Sequence, residues 1–160
     1  MFVSDAAAYQ RAIDAVLPAE TPLISVRGHV PGRAQVSFAS LLQTPGGSAA
    51  DQAFNATGPD SIAKFLFTSG STKLPKAVIT TQRMLCANQQ MLLQTFPVFG
   101  EEPPVLVDWL PWNHTFGGSH NVGIVLYNGG TFYLDAGKPT AQGFAETLRN
   151  LKEVSPTAYL

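Results

Sequence analysis

Residues 62–80 read IAKFLFTSGSTKLPKAVIT, and this stretch decides the fold. An apolar run, interrupted once by Lys64, ends in four hydroxyl side chains around one glycine. Strand-like residues resume after two lysines and a proline. We therefore predict strands over 62–68 and 76–80, joined by a loop over 69–75.

Upstream of this stretch, the pattern predicts one helix, one short strand and a long connection. The helix is expected over 5–17, with Ser4 or Asp5 as its cap. One apolar stripe should face inward, formed by Tyr9, Ile13, Val16 and Leu17. A buried strand is expected over 22–26, and residues 28–60 are interpreted as a connection with one apolar segment at 38–42.

Downstream, helices and strands alternate. The segment 81–96 is predicted to be a helix that opens on a Thr cap and stops before Pro97, with Met84, Leu85, Met91, Leu92 and Phe96 inward. Further strands are expected at 105–109, 131–134 and from 157, and further helices at 118–127 and 140–154, the last with Phe144, Leu148 and Leu151 inward. This order predicts an α/β fold, part of a doubly wound, largely parallel sheet with helices on both faces.

We divide the chain at residue 60. Residues 1–60 are interpreted as the end of one α/β subdomain plus the long connection. Residues 61–160 are interpreted as a phosphate-loop α/β subdomain, truncated at its C-terminal end.

The loop after the first strand of this stretch is rich in hydrogen-bond donors. Hydroxyl groups and backbone N–H groups in a tight glycine-containing turn can converge on phosphate oxygens, and a lysine adds positive charge. The common P-loop is excluded by spacing, because Pro75 stands five positions after Gly70 and Ala77 follows Lys76. A Ser/Thr-rich hairpin turn with two solvated lysines is the structural alternative.

The pattern from Phe67 to Val78 closely resembles the phosphate-binding signature of the adenylate-forming (AMP-binding) superfamily. That superfamily includes acyl- and aryl-CoA ligases, luciferases and peptide-synthetase adenylation domains. The resemblance implies that ATP phosphates are held by Thr68, Ser69, Gly70, Ser71, Thr72 and Lys76. The sequence departs from the signature at Lys73, where glycine is usual. A positive φ there would cost a lysine about 1 kcal/mol, which an extra cation beside phosphates could offset.

A second cluster, residues 109–118, reads WLPWNHTFGG. Two indoles, a phenyl and an imidazole lie within eight positions, and such rings suit a flat aromatic acid. The run resembles a second superfamily signature, Leu-Pro-x-x-His-x-x-Gly. The resemblance implies a catalytic role for His114, beside the reacting carboxylate, and a substrate pocket formed by Trp112, His114, Phe116 and Gly117. The alternative is that Trp109 and Trp112 are core residues and His114 bonds a backbone carbonyl.

Within the superfamily, residues 62–67 and 81–89 resemble those of the feruloyl-CoA synthetase branch. This resemblance implies an acid–CoA ligase that activates an aromatic carboxylic acid as acyl-AMP with ATP and Mg²⁺, then transfers it to coenzyme A. His29 and His120 are interpreted as structural or solvent-facing. Cys86 is interpreted as a packing residue, since no base stands near it.

The charge and the cysteine content limit which binding partners and which cellular compartment are expected. The 160 residues carry 10 basic and 11 acidic side chains without a basic run, which argues against nucleic acid and anionic membranes. A single cysteine indicates a reducing compartment, and no apolar run or leader suggests export, so the cytoplasm is expected.

Several superfamily features have no counterpart before Leu160: a Thr-Glu motif for magnesium, an Asp for the ribose, and a C-terminal domain with a catalytic Lys. The chain is therefore expected to be an internal portion of the N-terminal domain, inactive alone, and no metal ligand is assigned to it. A short protein that binds nucleotide or pyrophosphate without catalysis, and a decayed remnant, are the alternatives. The identity of the acid, the oligomeric state and the effect of Lys73 stay open.

Overall fold

The structure is a computed structural model that describes residues 1–68, 74–138 and 140–160. Residues 69–73 of the predicted phosphate loop therefore lie outside the described residues, and so does Pro139. The chain forms two compact units, Met1–Asn55 and Ala56–Leu160.

The first unit is built on three parallel strands. They are β1 (Phe2–Asp5), β2 (Leu23–Arg27) and β3 (Gln35–Ser37), in the order β1-β2-β3. Its helices are α1 (Gln10–Val16), α2 (Phe38–Leu41) and α3 (Ser48–Asn55). The apolar core of the unit consists of Ala6, Ile13, Leu23 and Val30.

The prediction of a helix over 5–17 is wrong for its first residues. Phe2 and Val3 pair in register with Ile24 and Ser25, so the first residues form a strand. The Asp5 carboxylate accepts hydrogen bonds from the Ala7 and Ala8 amides instead of capping a helix at that point. The helix starts only at Gln10.

Two other expectations for this unit are also corrected. Of the predicted inward stripe Ile13 is buried, whereas Tyr9 and Val16 are exposed. The segment 28–60 is more than a connection, because it contains β3, α2 and α3. These elements lack the strong periodicity that marks longer ones, and β3 exists because β2 offers it a parallel partner.

The second unit begins with the predicted strand–loop–strand stretch. Strands β4 (Ile62–Thr68) and β5 (Lys76–Thr81) pair antiparallel, from Ile62↔Thr81 to Thr68↔Lys76. A second pair, β6 (Val105–Asp108) and β7 (Thr131–Leu134), is parallel, and Ala158 bridges to Leu106 in the same sense. The predicted mixed α/β class with parallel sheets is confirmed.

Among the described residues of this unit, five helical segments accompany these strands. They are α4 (Gln82–Thr95), α5 (Val98–Glu101), a π-helix (Phe116–Asn121), α6 (Val122–Asn128) and α7 (Phe144–Val154). The predicted cap of α4 is confirmed, since the Thr81 hydroxyl accepts a hydrogen bond from the Met84 amide. The helix predicted over 118–127 is a π-helix continued by α6. The last helix begins at Phe144 rather than at 140.

The inward faces of α4 and α7 differ from the prediction. On α4 the apolar Met84, Met91 and Phe96 are exposed, while the polar Gln89 is buried. Cys86, predicted to be a packing residue, is exposed. The reason is that Gln89 is hydrogen-bonded to the π-helix, which turns that side of α4 inward.

On α7, Phe144 and Leu148 are exposed and Thr147 is buried. Thr147 points inward because it donates a hydrogen bond to the buried carboxylate of Asp135, just after β7. None of the helices in the described ranges has the length and apolar character needed to cross a membrane.

Asp135 ties the end of β7 to α7. Its carboxylate accepts from the Thr147 hydroxyl at 2.6 Å, the Asn150 amide at 2.7 Å and the Gly137 backbone N–H at 2.8 Å. Burial alone would raise the pKa of Asp135, but these donors together lower it below its ordinary value. The ionised carboxylate thus stabilises the folded state.

We predict that Thr147→Val lowers the free energy of unfolding of the full-length protein by about 1–3 kcal/mol at neutral pH, because a buried acceptor loses a donor. The contribution of Asp135 is present above the ordinary aspartate pKa of 3.8 and is lost as the pH falls through its lower folded-state pKa. Urea unfolding at pH 7 and at pH 3 measures both. Thr131→Val on the exposed face of β7 is the control, and an equal effect of the two substitutions would contradict the prediction.

Candidate functional site

One cleft of about 700 Å³ lies in the second unit. Its walls come from β4, β5, α4, the π-helix and the segment that leads into it. The lining residues are Leu66, Phe67, Thr68, Val78, Thr80, Met84, Leu85, Asn88, Asn113, His114, Thr115, Phe116, Ser119 and His120. Apolar side chains from the strands and α4 therefore face a polar, partly aromatic wall.

The β4–β5 hairpin sets the two ends of the predicted phosphate loop. Thr68 pairs in register with Lys76, and the Thr68 hydroxyl donates to the Lys76 carbonyl at 3.5 Å. The two ends of the loop are thus held at paired positions of one hairpin. Thr68 lines the cleft, while Lys76 is exposed and is not among the lining residues.

A tight turn presents His114 to the cleft. The His114 amide donates to the Pro111 carbonyl at 3.1 Å, and the Gly118 amide donates to the His114 carbonyl at 2.8 Å. The ring is oriented by the Phe116 amide, which donates to His114 Nδ1 at 3.3 Å. Because Nδ1 accepts a hydrogen bond, the proton of the neutral ring lies on Nε2, which becomes a donor.

The two glycines after this turn permit close backbone contact. A Cβ atom at Gly117 would lie 2.7 Å from the Pro111 carbonyl oxygen and 2.9 Å from Leu110 Cβ. A Cβ atom at Gly118 would collide with the carbonyl of Trp112. Only glycine therefore lets residues 110–112 fold back against the start of the π-helix.

Two side chains hold the π-helix. Lys64 Nζ, from β4, donates to the Gly118 carbonyl at 3.1 Å, and Gln89 Nε2, from α4, donates to the Ser119 carbonyl at 2.9 Å. Two consecutive carbonyls thus receive side-chain donors from different elements. π-Helical turns are rare in proteins, but those that occur are often found at functional sites. Here the π-helix carries the cleft residues Phe116, Ser119 and His120.

The cleft contains a buried hydroxyl without a protein partner. Among the described residues, Ser119 Oγ makes no hydrogen bond, and neither does Gln89 Oε1. A buried polar atom without a partner costs about 1–3 kcal/mol.

His120, interpreted from the sequence as structural or solvent-facing, makes ring contacts that fit a structural residue and also borders the cleft. It is half-buried and lines the cleft, with its ring 4.9 Å from that of Phe116, centroid to centroid. The spacing of four residues between Phe116 and His120 was the signal in the sequence, because it places two rings on one helix face.

The predicted site residues are only partly brought together. Thr68, His114 and Phe116 line the cleft. Trp112 instead is exposed and lies edge-on to Phe132, with ring centroids 5.9 Å apart. Gly117 is buried against residues 110–111. Ser69, Gly70, Ser71 and Thr72 are outside the described residues.

No metal-binding cluster of three or more His, Cys, Asp or Glu side chains is found in residues 1–68, 74–138 and 140–160. The hydroxyl, imidazole and amide groups of the cleft are suited to orienting an organic acid or phosphate oxygens. They do not form a ligand set for a divalent cation.

Residues 2–160 match the family model described as AMP-binding enzyme. Because that match spans nearly the whole chain, the chain belongs to the AMP-binding enzyme family.

Two curated relatives share part of the sequence. The medium-chain-fatty-acid–[acyl-carrier-protein] ligase TtuA of Teredinibacter turnerae is 39% identical over 71 residues, 44% of this chain and 11% of that ligase. The protein fadD21 of Mycobacterium leprae, named as a fatty-acid–CoA ligase, is 40% identical over 65 residues, 38% of this chain and 11% of that protein. The aligned regions thus span about a tenth of these relatives.

Solved structures share the fold at lower identity. The luciferase-like enzyme of the Zophobas morio mealworm superposes with a TM-score of 0.66 at 20% identity, over 99% of this chain and 34% of that one. The fatty acid AMP ligase of Legionella pneumophila gives a TM-score of 0.54 at 18% identity, over 91% and 25% of the two chains. McyG, complexed with phenylalanyl-adenylate, gives 0.54 at 17% identity, over 90% and 22%. At these identities, the similarities show a shared fold and no more.

We predict that Gly118→Ala destabilises the full-length protein by about 1–3 kcal/mol, because the new methyl group meets backbone rather than a mobile side chain. Thermal or urea unfolding measures the change. Gly46→Ala is the matched control, since a Cβ there meets nothing within 4 Å. Equal stabilities of the two variants would show that the Gly118 contact is not tight.

Proposed function

We propose that this chain contributes the phosphate loop and one wall of the acid pocket of an ATP-dependent acid–CoA ligase. The single observation that carries the proposal is that Thr68, at the start of the phosphate loop, and His114 line the same cleft. The two signatures are 46 positions apart in sequence. Their meeting in one cleft fits a reaction between a nucleotide phosphate and an acid.

The nucleotide side of the proposal rests on the hairpin. Thr68 and Lys76 flank the loop, with a hydroxyl donor on one side and a cation on the other, and such donors suit phosphate oxygens. ATP would supply an α-phosphorus for attack by the carboxylate, with release of pyrophosphate and formation of acyl-AMP. Thr68, Ser69, Gly70, Ser71, Thr72 and Lys76 would orient and neutralise the phosphates. No step is assigned to Mg²⁺, for which the described residues offer no ligand cluster.

The acid side rests on the polar wall of the cleft. The His114 ring is fixed with Nε2–H as a donor, which suits a carboxylate or the oxygens of an adenylate. His114 would hold the reacting carboxylate in line with the phosphorus, and positioning and charge stabilisation are what a protein contributes to such transfers. Phe116 would contact the acyl group, and Gly117 would keep the turn tight. Trp112 would act at the edge of the pocket.

We propose a hydroxycinnamic-type aromatic acid, of the feruloyl-CoA synthetase kind, as the substrate. Phe67, Phe116 and His120 supply flat side chains to the cleft. A fatty acid is the second candidate, favoured by the names of TtuA and fadD21, of which the former specifies a medium chain. The aliphatic lining from Leu66, Val78 and Leu85 also favours it. Coenzyme A is the proposed acceptor, and the name of TtuA makes an acyl-carrier protein the alternative.

We also propose a functional division of the chain near residue 60. Residues 61–160 would carry the nucleotide and acid contacts, since the cleft is lined entirely by this part among the described residues. Residues 1–60 would complete a neighbouring α/β subdomain and its connection.

Acid-dependent pyrophosphate exchange in the full-length protein tests the reaction. Ferulic, 4-hydroxycinnamic, octanoic and decanoic acids form the panel, with coenzyme A or an acyl-carrier protein added in a second step. Exchange with the cinnamic acids alone supports the aromatic proposal, and exchange with the fatty acids alone replaces it by the second candidate. Calorimetric ATP binding without exchange would indicate a nucleotide-binding protein, and neither binding nor exchange would indicate a remnant.

We predict that Lys76→Ala lowers kcat/KM for ATP in this exchange by about tenfold to a hundredfold, since a charge-assisted hydrogen bond contributes about 1.5–3 kcal/mol. The KM for the acid should change little. Lys152→Ala on the exposed side of α7 is the matched control. An exchange rate of Lys76→Ala equal to that of the control would remove Lys76 from the phosphate site.

We predict that His114→Ala lowers kcat/KM for the acid by about tenfold to a hundredfold, because the carboxylate loses a donor of similar strength. Calorimetry should show ATP binding close to that of the unchanged protein. His29→Ala, at an exposed histidine of the first unit, is the control. A defect confined to ATP affinity would contradict the role of His114.

A further inference from the structure

A buried hydrogen-bond chain leads from β6 to the cleft. Asp108, at the end of β6, is 4% exposed, and Asn121, at the end of the π-helix, is 1% exposed. Asn121 Nδ2 donates to Asp108 Oδ2 at 2.9 Å, while Asp108 Oδ1 accepts from the Leu110 amide at 2.9 Å. Asn121 Oδ1 lies 2.7 Å from His120 Nδ1. The chain therefore ends on a ring that lines the cleft.

This chain determines which nitrogen of His120 carries the proton. A carboxylate only accepts hydrogen bonds, so Asp108 fixes the Asn121 amide with its NH₂ group toward Oδ2. The oxygen of that amide then faces His120, and an amide oxygen also only accepts. Nδ1 must be the donor, and Nε2 of the neutral ring is left as an acceptor.

The two histidines of the cleft are thus opposite tautomers. His114 accepts at Nδ1 and presents Nε2–H, while His120 donates at Nδ1 and presents a bare Nε2. No described residue donates a hydrogen bond to His120 Nε2. The ring is held from a second side by Phe116, at 37° between the ring planes. A cleft with a fixed donor and a separate fixed acceptor is complementary to a ligand that carries the opposite groups.

We propose that His120 is a specificity-determining residue whose Nε2 accepts a hydrogen bond from a hydroxyl group on the acyl part of the substrate. The inference rests on the proposed function, because it assumes that the acid lies in this cleft. His114 meets the carboxylate end, and His120 meets an O–H donor beside the Phe116 ring. Asp108 and Asn121 are positioning residues that hold the acceptor tautomer. A substrate without the hydroxyl leaves a half-buried acceptor unpaired, which is the strongest basis for rejecting an analogue.

The tautomers are tested first, without reference to activity. Nitrogen NMR of the full-length protein labelled with ¹⁵N-histidine separates the two neutral forms, and His114→Ala and His120→Gln assign the signals. We expect His120 as the Nδ1–H tautomer and His114 as the Nε2–H tautomer. An Nε2–H tautomer at His120 would overturn the proposal whether or not the protein is active.

The second test compares three acids of nearly one shape in pyrophosphate exchange. 4-Hydroxycinnamic acid can donate a hydrogen bond, 4-methoxycinnamic acid can only accept, and cinnamic acid does neither. We expect kcat/KM to favour the hydroxy acid over both others by about tenfold to a hundredfold, because an unpaired acceptor costs about 1–3 kcal/mol. His120→Leu should reduce this ratio to a few-fold by loss on the hydroxy acid alone. His120→Gln, which keeps an acceptor, should retain part of it, and His29→Leu should leave it unchanged.

The outcomes separate this inference from the proposed function. Exchange with all three acids at equal efficiency supports the ligase and overturns the role of His120. An equal loss on every acid in His120→Leu also overturns it, because that result marks a purely structural residue. If fatty acids alone are activated, the same ratio is measured with a hydroxylated and a plain fatty acid of one length. Absence of exchange with any acid overturns both proposals. Should His120→Leu fail to fold, the ratio in the unchanged protein and in His120→Gln decides.

Discussion

Two side-chain hydrogen bonds, from Lys64 and Gln89 to consecutive carbonyls of the π-helix, hold the cleft together. A π-helix has poorer backbone geometry than an α-helix and persists where its surroundings supply partners. The donor from Lys64 carries a full charge, and hydrogen bonds from charged groups are the stronger kind. With these bonds in place, Phe116 and His120 stand on one face, and the turn that carries His114 leads directly into them.

The parts of the fold that depend on local signals were predictable from the sequence. The strands on both sides of the phosphate loop and the helix after them carry such signals. An apolar run marks β4, and the Thr81 hydroxyl marks the start of α4. His114 lines a cleft after a strand and before a helix, and its role in a site stays a prediction. The roles of the loop residues remain predictions that rest on the family resemblance.

The parts that depend on distant partners were not predictable. Residues 2–5 form a strand because β2 lies beside them, although their own pattern continues into a helix. Gln89 is buried on α4, where periodicity favours the methionines, because a carbonyl of the π-helix needs its amide. The orientation of His120 depends on Asn121, and Asn121 is held by Asp108, thirteen positions earlier in the sequence. No local sequence pattern reveals this contact. In each case a polar or backbone partner outweighed side-chain hydrophobicity.

Strand β4 carries both Lys64 and Thr68, so one rigid element joins the π-helix to the mouth of the phosphate loop. Four residues of extended chain span about 13 Å, and a strand paired along its length does not stretch. A shift of β4 along its axis would move the two contacts by the same amount. Under the proposed function, exchange of single side chains on the cleft wall would change the acid preference, whereas insertions or deletions within this strand would misalign the nucleotide and acid contacts together.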